Sequence, residues 1–295
     1  MKTFDRIVII FNPQSAGDSP KLAAQLADQL SDIKIAPVKL VETEYVGHAI
    51  ELATKYARSG KPLIVSVSGD GGYNEVINGV MQAGNPNTTT AVLAAGNAND
   101  HARVMQDKPL LELIKIGKKR HIDLLQMTAV FDDGSHQSRY AHSYIGFGLT
   151  PTVALELEKS GKGSISKIST ALKSFKDFKP FELTYQSDEV VEMDSLIFAN
   201  ISQMAKVATL HDEDSPADGL FEVISMPHMS KVRTVYYAAK AAVTGLGSQP
   251  SVSNYEFDTR GGLPVQLDGE LWELPAAAHI IIRSQKRALL TIVDV

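Results

Sequence analysis

Ser68-Gly69-Asp70-Gly71-Gly72-Tyr73-Asn74-Glu75 places three glycines and two carboxylates between a short apolar run and a stretch with helical spacing. That composition suits phosphate. Glycine admits positive φ and lets backbone approach a ligand closely, and the N–H groups at a helix start are donors to an anion. Asp70 stands where a carboxylate could hold a metal ion beside those phosphates. A plain chain reversal in an α/β protein also produces strand, glycine turn and helix, so these eight residues alone leave both readings open. A second junction of the same kind favours the nucleotide reading: Thr89-Thr90-Ala91-Val92-Leu93-Ala94 runs into Ala95-Gly96-Asn97-Ala98-Asn99-Asp100-His101-Ala102-Arg103.

The elements that must position these residues alternate. Ile7–Phe11 and Leu63–Val67 are apolar, largely β-branched runs of the kind buried in a parallel sheet. Asn12-Pro13-Gln14-Ser15-Ala16-Gly17 follows the first as a polar turn, and Pro20 suits the first position of a helix whose Leu22, Leu26 and Leu30 share a face. Ile33–Val41 is expected to be extended. Thr43 is expected to cap a helix through Ile50, Leu52, Ala53 and Tyr56 that ends at Ser59-Gly60. Val76, Ile77, Val80 and Met81 recur at helical spacing after the glycine loop. A short helix carrying Leu110, Leu111, Leu113 and Ile114 should stop at Gly117, and Lys118-Lys119-Arg120-His121 then leads to Ile122-Asp123-Leu124. Strand and helix in alternation argue for a mainly parallel sheet covered by helices.

From Gln126 the pattern changes. Met127–Phe131, the Asp132-Asp133-Gly134-Ser135 turn and Ser138–Phe147 read as a hairpin. Phe181–Tyr185, Val190–Ile201, Leu220–Ser225, Val252–Phe257, Pro264–Leu267 and His279–Arg283 read as further strands. Helical segments interrupt them at Pro151–Lys159 and Lys231–Thr244. Lys159, Lys162, Lys167, Lys173, Lys176 and Lys179 punctuate a segment whose Ile165, Ile168, Leu172 and Phe175 approach helical spacing. Such a helix either rests on anionic lipid or packs on its own lobe.

Composition bounds the function classes. A chain of 295 residues with 44% apolar and 21% charged residues is that of a folded protein, comfortable as two domains. There is no cysteine and hence no disulfide or thiol chemistry, in keeping with a cytoplasmic protein. The formal charge of −5 and the lack of a basic, aromatic-bearing element disfavour nucleic acid as a partner. Ile7–Phe11 is too short for a signal-peptide core, and no window nears the roughly 18 apolar residues of a membrane span, so any membrane contact is expected to be peripheral, at the inner surface. No G-x-x-x-x-G-K-[ST] or G-x-S-x-G stretch occurs, the glycine loop lacks the third glycine of G-x-G-x-x-G, and the eight histidines are scattered.

Taken together, the two loops resemble the diacylglycerol kinase catalytic-domain family, which includes sphingosine kinases and bacterial lipid kinases. Its pattern is G-G-D-G-T-x-x-E-x-x-N-G followed by G-T-x-N-D-x-A-R. Here it stands as Ser68-Gly69-Asp70-Gly71-Gly72-Tyr73-Asn74-Glu75-Val76-Ile77-Asn78-Gly79 and Gly96-Asn97-Ala98-Asn99-Asp100-His101-Ala102-Arg103. Asn12–Gly17, Asp218-Gly219-Leu220 and Asp268-Gly269-Glu270 fit the same family in its order. The resemblance implies an α/β fold: a Rossmann-like nucleotide-binding domain of the NAD kinase and diacylglycerol kinase type over 1–125, with 287–295 returning to it, and a β-rich antiparallel sandwich over 126–286.

It further implies an ATP- and Mg²⁺-dependent kinase acting on a lipid hydroxyl. Asn12, Ser15, Gly69, Gly71, Gly72, Asn74, Glu75, Gly96, Asn97 and Asn99 would face the nucleotide, with Glu75 either steadying a helix or contacting the ribose side. Asp70 would stand at the metal, supported by Asp100 and Asp123. Glu270 would be the base for the lipid hydroxyl with Asp268 beside it, both meeting Asp70 across an interlobe cleft. Asp218 and Leu220 would form a structural cation site in place of a simple turn. The chain departs from the pattern at Gly72 and Asn97, where the family has threonine, at His101, an aromatic position, and at Asn200-Ile201-Ser202-Gln203-Met204, which lacks a glycine-rich run. An NAD kinase and a non-catalytic nucleotide- or lipid-binding regulator are the alternatives, and a homodimer is compatible with each.

Overall fold

The computed structural model describes residues 3–15, 18–150, 179–185, 189–206, 208–211 and 216–294. They group into two compact units, bounded as Met1–Leu124 with Lys286–Val295 and as Leu125–Gln285. The first is built from β1 (Arg6–Phe11), α1 (Ser19–Asp32), β2 (Val38–Glu42), α2 (His48–Ala57), β3 (Pro62–Ser68), α3 (Asp70–Ala83), β4 (Thr89–Ala94), α4 (Asp100–Met105) and α5 (Leu110–Ile116). Its strands run parallel in the order β4-β3-β1-β2. The end of the last strand, β17 (Ala278–Thr291), adds to β4, with Thr291 opposite Thr90. Because the chain leaves β1 for β2 on one side and returns as β3 on the other, the switch point lies between β1 and β3. The loops at their carboxyl ends flank the place where open α/β sheets bind ligands.

Ile7, Ile9, Leu63, Val65, Val67 and Ala91 from the sheet pack with Ala23, Leu26 and Leu30 of α1 and with Leu110, Leu113 and Ile114 of α5 in one buried core. α5 stops at Gly117, whose φ of 68° is the left-handed end that glycine supplies most cheaply. Two expectations fail here. Ile33–Pro37 is not strand, since β2 begins at Val38. Thr43 caps nothing: its N–H continues the sheet to Phe11 O (2.9 Å), and α2 starts only at His48 behind Gly47, at φ 85°. Glu75 reaches from α3 to accept the Gly47 N–H (3.1 Å), so the cap comes from another helix.

Tyr73 links α3 to the end of the chain. Its ring is fully buried, and its hydroxyl meets Thr90 Oγ1 at 3.0 Å and Thr291 Oγ1 at 2.8 Å. Tyr73→Phe removes the buried hydroxyl that joins the two threonines, each of which keeps a backbone acceptor (Thr90 Oγ1 to Leu290 O at 3.3 Å, Thr291 Oγ1 to Thr90 O at 3.1 Å), and the expected cost is about 1 kcal/mol. Urea unfolding checks it, and the loss should shrink when Thr90 and Thr291 are also replaced by valine.

The second unit is antiparallel. β5 (Arg120–Phe131) and β6 (His136–Ala141) form a hairpin whose turn places Gly134 at φ 80°. The strand expected over Ser138–Phe147 is broken at His142-Ser143: β6 stays with β5, whereas β7 (Tyr144–Gly148) pairs with β9 (Val190–Ala199) and β15 (Leu263–Leu267). β8 (Phe181–Thr184) and β12 (Phe221–Pro227) also lie on β9, and β14 (Asn254–Thr259) joins β8 to β17. β16 (Glu270–Leu274) pairs with β15. Its own sequence gave no alternating signal that the turn residues before it did not mask. The short strands β10 (Gln203–Met204) and β11 (Ala208–Thr209) carry no such signal either, and the strand expected over Val252–Phe257 is divided between β13 (Ser251–Val252) and β14. Phe147, Phe198, Phe221 and Phe257 meet largely edge to face at 5.3–6.1 Å in the core of this unit. The helix expected at Pro151–Lys159 and the lysine-bearing segment through Lys176 lie outside the described residues.

α6 (Lys231–Val243) follows β12. Buried Asp194 holds its start, accepting from Met229 N and Thr234 Oγ1 at 3.2 Å and lying 2.8 Å from His228 Nδ1. The hydrogen bond to Asp194 raises the His228 pKa above its ordinary 6.5, with smaller help from the Asp194 and Glu192 charges against desolvation. A raised histidine stabilises the fold fully below its unfolded value and loses that contribution as pH rises through the folded one. The melting-temperature gap between wild type and His228→Gln should be widest at about pH 6 and narrow toward about pH 9.

Candidate functional site

Two loops leave the carboxyl ends of β3 and β4 and meet. A Cβ on Gly96 would fall 2.3 Å from Gly69 Cα, so position 96 must be glycine for the backbones to come this close, whereas a Cβ on Gly69 would sit tightly at 3.2 Å from Gly96 Cα. Ala95 N–H donates to Ser68 O at 2.9 Å. Asn99 brackets Gly96, its Oδ1 accepting the Gly96 N–H and its Nδ2 donating to Gly96 O, each at 2.9 Å. To do so Asn99 adopts φ 53°, a conformation asparagine tolerates better than most residues. Asn97 is exposed at the tip of the second loop.

Asp70 is the first residue of α3 and is 9% exposed. Its Oδ2 accepts the Asp100 N–H at 3.0 Å and its Oδ1 the His101 N–H at 3.1 Å, so one carboxylate closes the amino end of α4. Asp100 is fully buried and paired with Arg103, and the His101 ring packs on Tyr73 at 5.3 Å. The first intrahelical bond of α3 runs from Tyr73 N–H to Gly69 O, which leaves the amides of Gly71 and Gly72 at the free end of a 14-residue helix. Gly72 has a local reason. A Cβ there would lie 2.7 Å from Ser68 Cβ and 2.8 Å from its Oγ, so the hydroxyl-bearing residue has moved from the end of the loop to its start. Ser68 Oγ bonds Ser66 Oγ at 2.7 Å and Gly69 O at 2.9 Å.

The other residues expected at this site are dispersed around it. Asn12 lies in the exposed turn after β1 and its Oδ1 accepts the Gln14 N–H (2.8 Å). The Ser15 hydroxyl is buried in the same loop without a hydrogen-bond partner among the described residues. Asn74 faces inward at 5% exposure, with its Oδ1 accepting from Asn78 Nδ2 (3.0 Å), and Glu75 is turned to Gly47 as a helix cap. Asp123 is fully buried and accepts the Arg287 N–H at 2.6 Å, fixing a residue at φ 52° in β17. Ser19 was not anticipated. It is buried at the start of α1 and donates to Val67 O at 2.5 Å, tying the first loop's exit to the end of β3. Its position just before Pro20 was the available signal.

In the second unit, Asp268-Gly269 is a two-residue hairpin turn with φ 51° and 98°, joining β15 to β16 with Leu267 opposite Glu270. Such turns are usually wet, yet Asp268 is fully buried. Its Oδ1 accepts the N–H groups of Ser143 (2.8 Å) and Tyr144 (2.9 Å), and its Oδ2 accepts that of His142 (2.7 Å) with His142 Nε2 at 3.3 Å. Asp268 thereby makes the break between β6 and β7. Glu270, the first residue of β16, is partly exposed. The polar pair His142-Ser143 within an otherwise aromatic and apolar run was the sequence trace of this arrangement. Asp218 sits in an exposed turn and accepts the Leu220 N–H at 2.8 Å.

No three histidine, aspartate or glutamate side chains gather as a metal-holding cluster among the described residues. Asp70, Asp100 and Asp123 are therefore not members of such a cluster. The donor set fits a magnesium ion held by one carboxylate, Asp70, with phosphate oxygens and water completing its shell. No described helix is long and apolar enough to cross a membrane.

Residues 6–127 match the diacylglycerol kinase catalytic domain. A diacylglycerol kinase of Staphylococcus saprophyticus is 26% identical over 228 residues, spanning 74% of this chain and 72% of that one. Among solved structures, a diacylglycerol kinase from Bacillus anthracis superposes with a TM-score of 0.71 at 19% identity, over 99% of this chain and 97% of that chain. Yeast NADH kinase complexed with NADH superposes with a TM-score of 0.53 at 10% identity, over 99% and 84%. At such identities these two structures speak to fold: a parallel α/β core followed by a β-rich antiparallel region.

Proposed function

From a chain that carries the diacylglycerol kinase catalytic domain over residues 6–127, we propose an ATP- and Mg²⁺-dependent lipid kinase that transfers the γ-phosphoryl group to a lipid hydroxyl. The observation that supports it most is the junction of two glycine elbows at the carboxyl edge of a parallel sheet, with Asp70 spanning them. The amides of Gly71 and Gly72 and the exposed Asn97 would hold phosphate oxygens, with Asn99 fixing the Gly96 turn between them. The Asn12 turn would close on the nucleotide from the β1 side. Bound magnesium would neutralise charge on the phosphates. Asp70 would hold that ion while its bonds to the α4 amides keep the carboxylate in one orientation. Glu270 would take the proton of the attacking hydroxyl, and Asp268 would fix the turn that presents Glu270.

Incubating the purified protein with labelled ATP and either a panel of lipid alcohols or NAD tests the reading. Transfer to a lipid, abolished by chelating magnesium and by Asp70→Ala, is expected. Exclusive transfer to NAD would replace the lipid assignment with an NAD kinase reading. Equal background rates for wild type, Asp70→Ala and Glu270→Ala, with ATP still bound, would instead mark a binding protein.

A further inference from the structure

We propose that the outer face of α6 docks on an anionic lipid bilayer. Its sequence, KVRTVYYAAKAAV, holds three bases and no acid, in a chain whose formal charge is −5. Val232, Tyr236 and Val243 are 79%, 63% and 83% exposed. At 3.6 residues per turn these three fall within about 40° of one another around the helix axis, so they form one stripe. Thr234 and Ala241 are buried and fall on the opposite side, where Thr234 also bonds Asp194. The helix is thus anchored by one face and presents three exposed apolar side chains on the other, with Arg233 and Lys240 together along one edge of that stripe. Elsewhere among the described residues the large exposed apolar side chains are scattered over β2, the loop before α2, the end of α5, β9 and the loop before β12.

Charge selects the occupant. A stripe bordered by bases along one edge, on a helix free of acids, matches a surface that is apolar within and anionic at its rim, which suits an interfacial amphipathic helix. Aliphatic side chains would enter the boundary between headgroups and acyl chains, the Tyr236 ring would sit at headgroup level, and Arg233 and Lys240 would pair with lipid phosphates. This binding needs neither ATP nor turnover, so it stands or falls separately from the transfer reaction.

Co-sedimentation of the full chain with vesicles of phosphatidylcholine, alone or mixed with phosphatidylglycerol, tests the proposal. Binding is expected to the mixed vesicles, weakening as salt is added. Arg233→Gln with Lys240→Gln should weaken it about tenfold, and Val232→Ser, Tyr236→Ser and Val243→Ser together should reduce it to the level on phosphatidylcholine alone. Four of the five sites are exposed and Lys240 is partly so, and far-ultraviolet circular dichroism should not change. Two outcomes overturn the proposal: vesicle binding by both variants equal to wild type, or concentration-dependent self-association of the wild type that the triple variant abolishes while vesicle binding persists.

Discussion

Asp268→Ala is expected to lose about 3–5 kcal/mol of stability, because three buried backbone N–H groups and a buried histidine lose their acceptor together. Against a total of roughly 5–15 kcal/mol, that is enough to leave much of the protein unfolded at physiological temperature. Asp268→Asn separates charge from shape. Asparagine tolerates the left-handed backbone at this position and keeps one oxygen for the N–H groups of residues 143 and 144, but its NH₂ then opposes the His142 N–H. Its loss should be smaller than that of alanine and still easily measured. Urea denaturation followed by far-ultraviolet circular dichroism checks both. A wild-type midpoint for Asp268→Ala would mean that the His142–Tyr144 break does not depend on this carboxylate.

Two residues away, Glu270→Gln should behave in the opposite manner. The side chain is partly exposed at the start of β16, and glutamine preserves its size, so the unfolding midpoint should stay near that of wild type. Under the lipid kinase reading turnover falls about 10²–10⁴-fold, the usual contribution of a positioned base, with little change in KM for ATP. Steady-state transfer from labelled ATP to lipid measures it. Full turnover would remove Glu270 from the reaction and leave the turn with a purely architectural role.

The contrast between these neighbours shows where the sequence was legible. Strand–loop–helix order in the first unit could be read because β1, β3 and β4 are short apolar runs ended by glycine or asparagine, a local signal. Asp70 was also found, but its binding of the α4 amides was not, since that bond joins residues 30 positions apart. Asp123 reads either as an acid supporting the metal or as a solvated strand residue; it is fully buried, and it accepts a backbone N–H from 164 residues away that no local pattern announces. The same distance problem hid the break at His142-Ser143, which Asp268 makes from 126 residues downstream. Thr43 misled for a related reason, because a local capping signal lost to Glu75 acting from another helix. Patterns with a period of two or 3.6 survive in one dimension, whereas a buried carboxylate's choice of amide does not.

The near-touching backbones at Gly69 and Gly96 carry a consequence for how the molecule responds to a ligand. With no side chain between them to act as a cushion, a displacement of either segment is transmitted to its neighbour at once. A phosphate settling on one would be sensed by both, and a bulkier residue at position 96 would injure the pair as a unit.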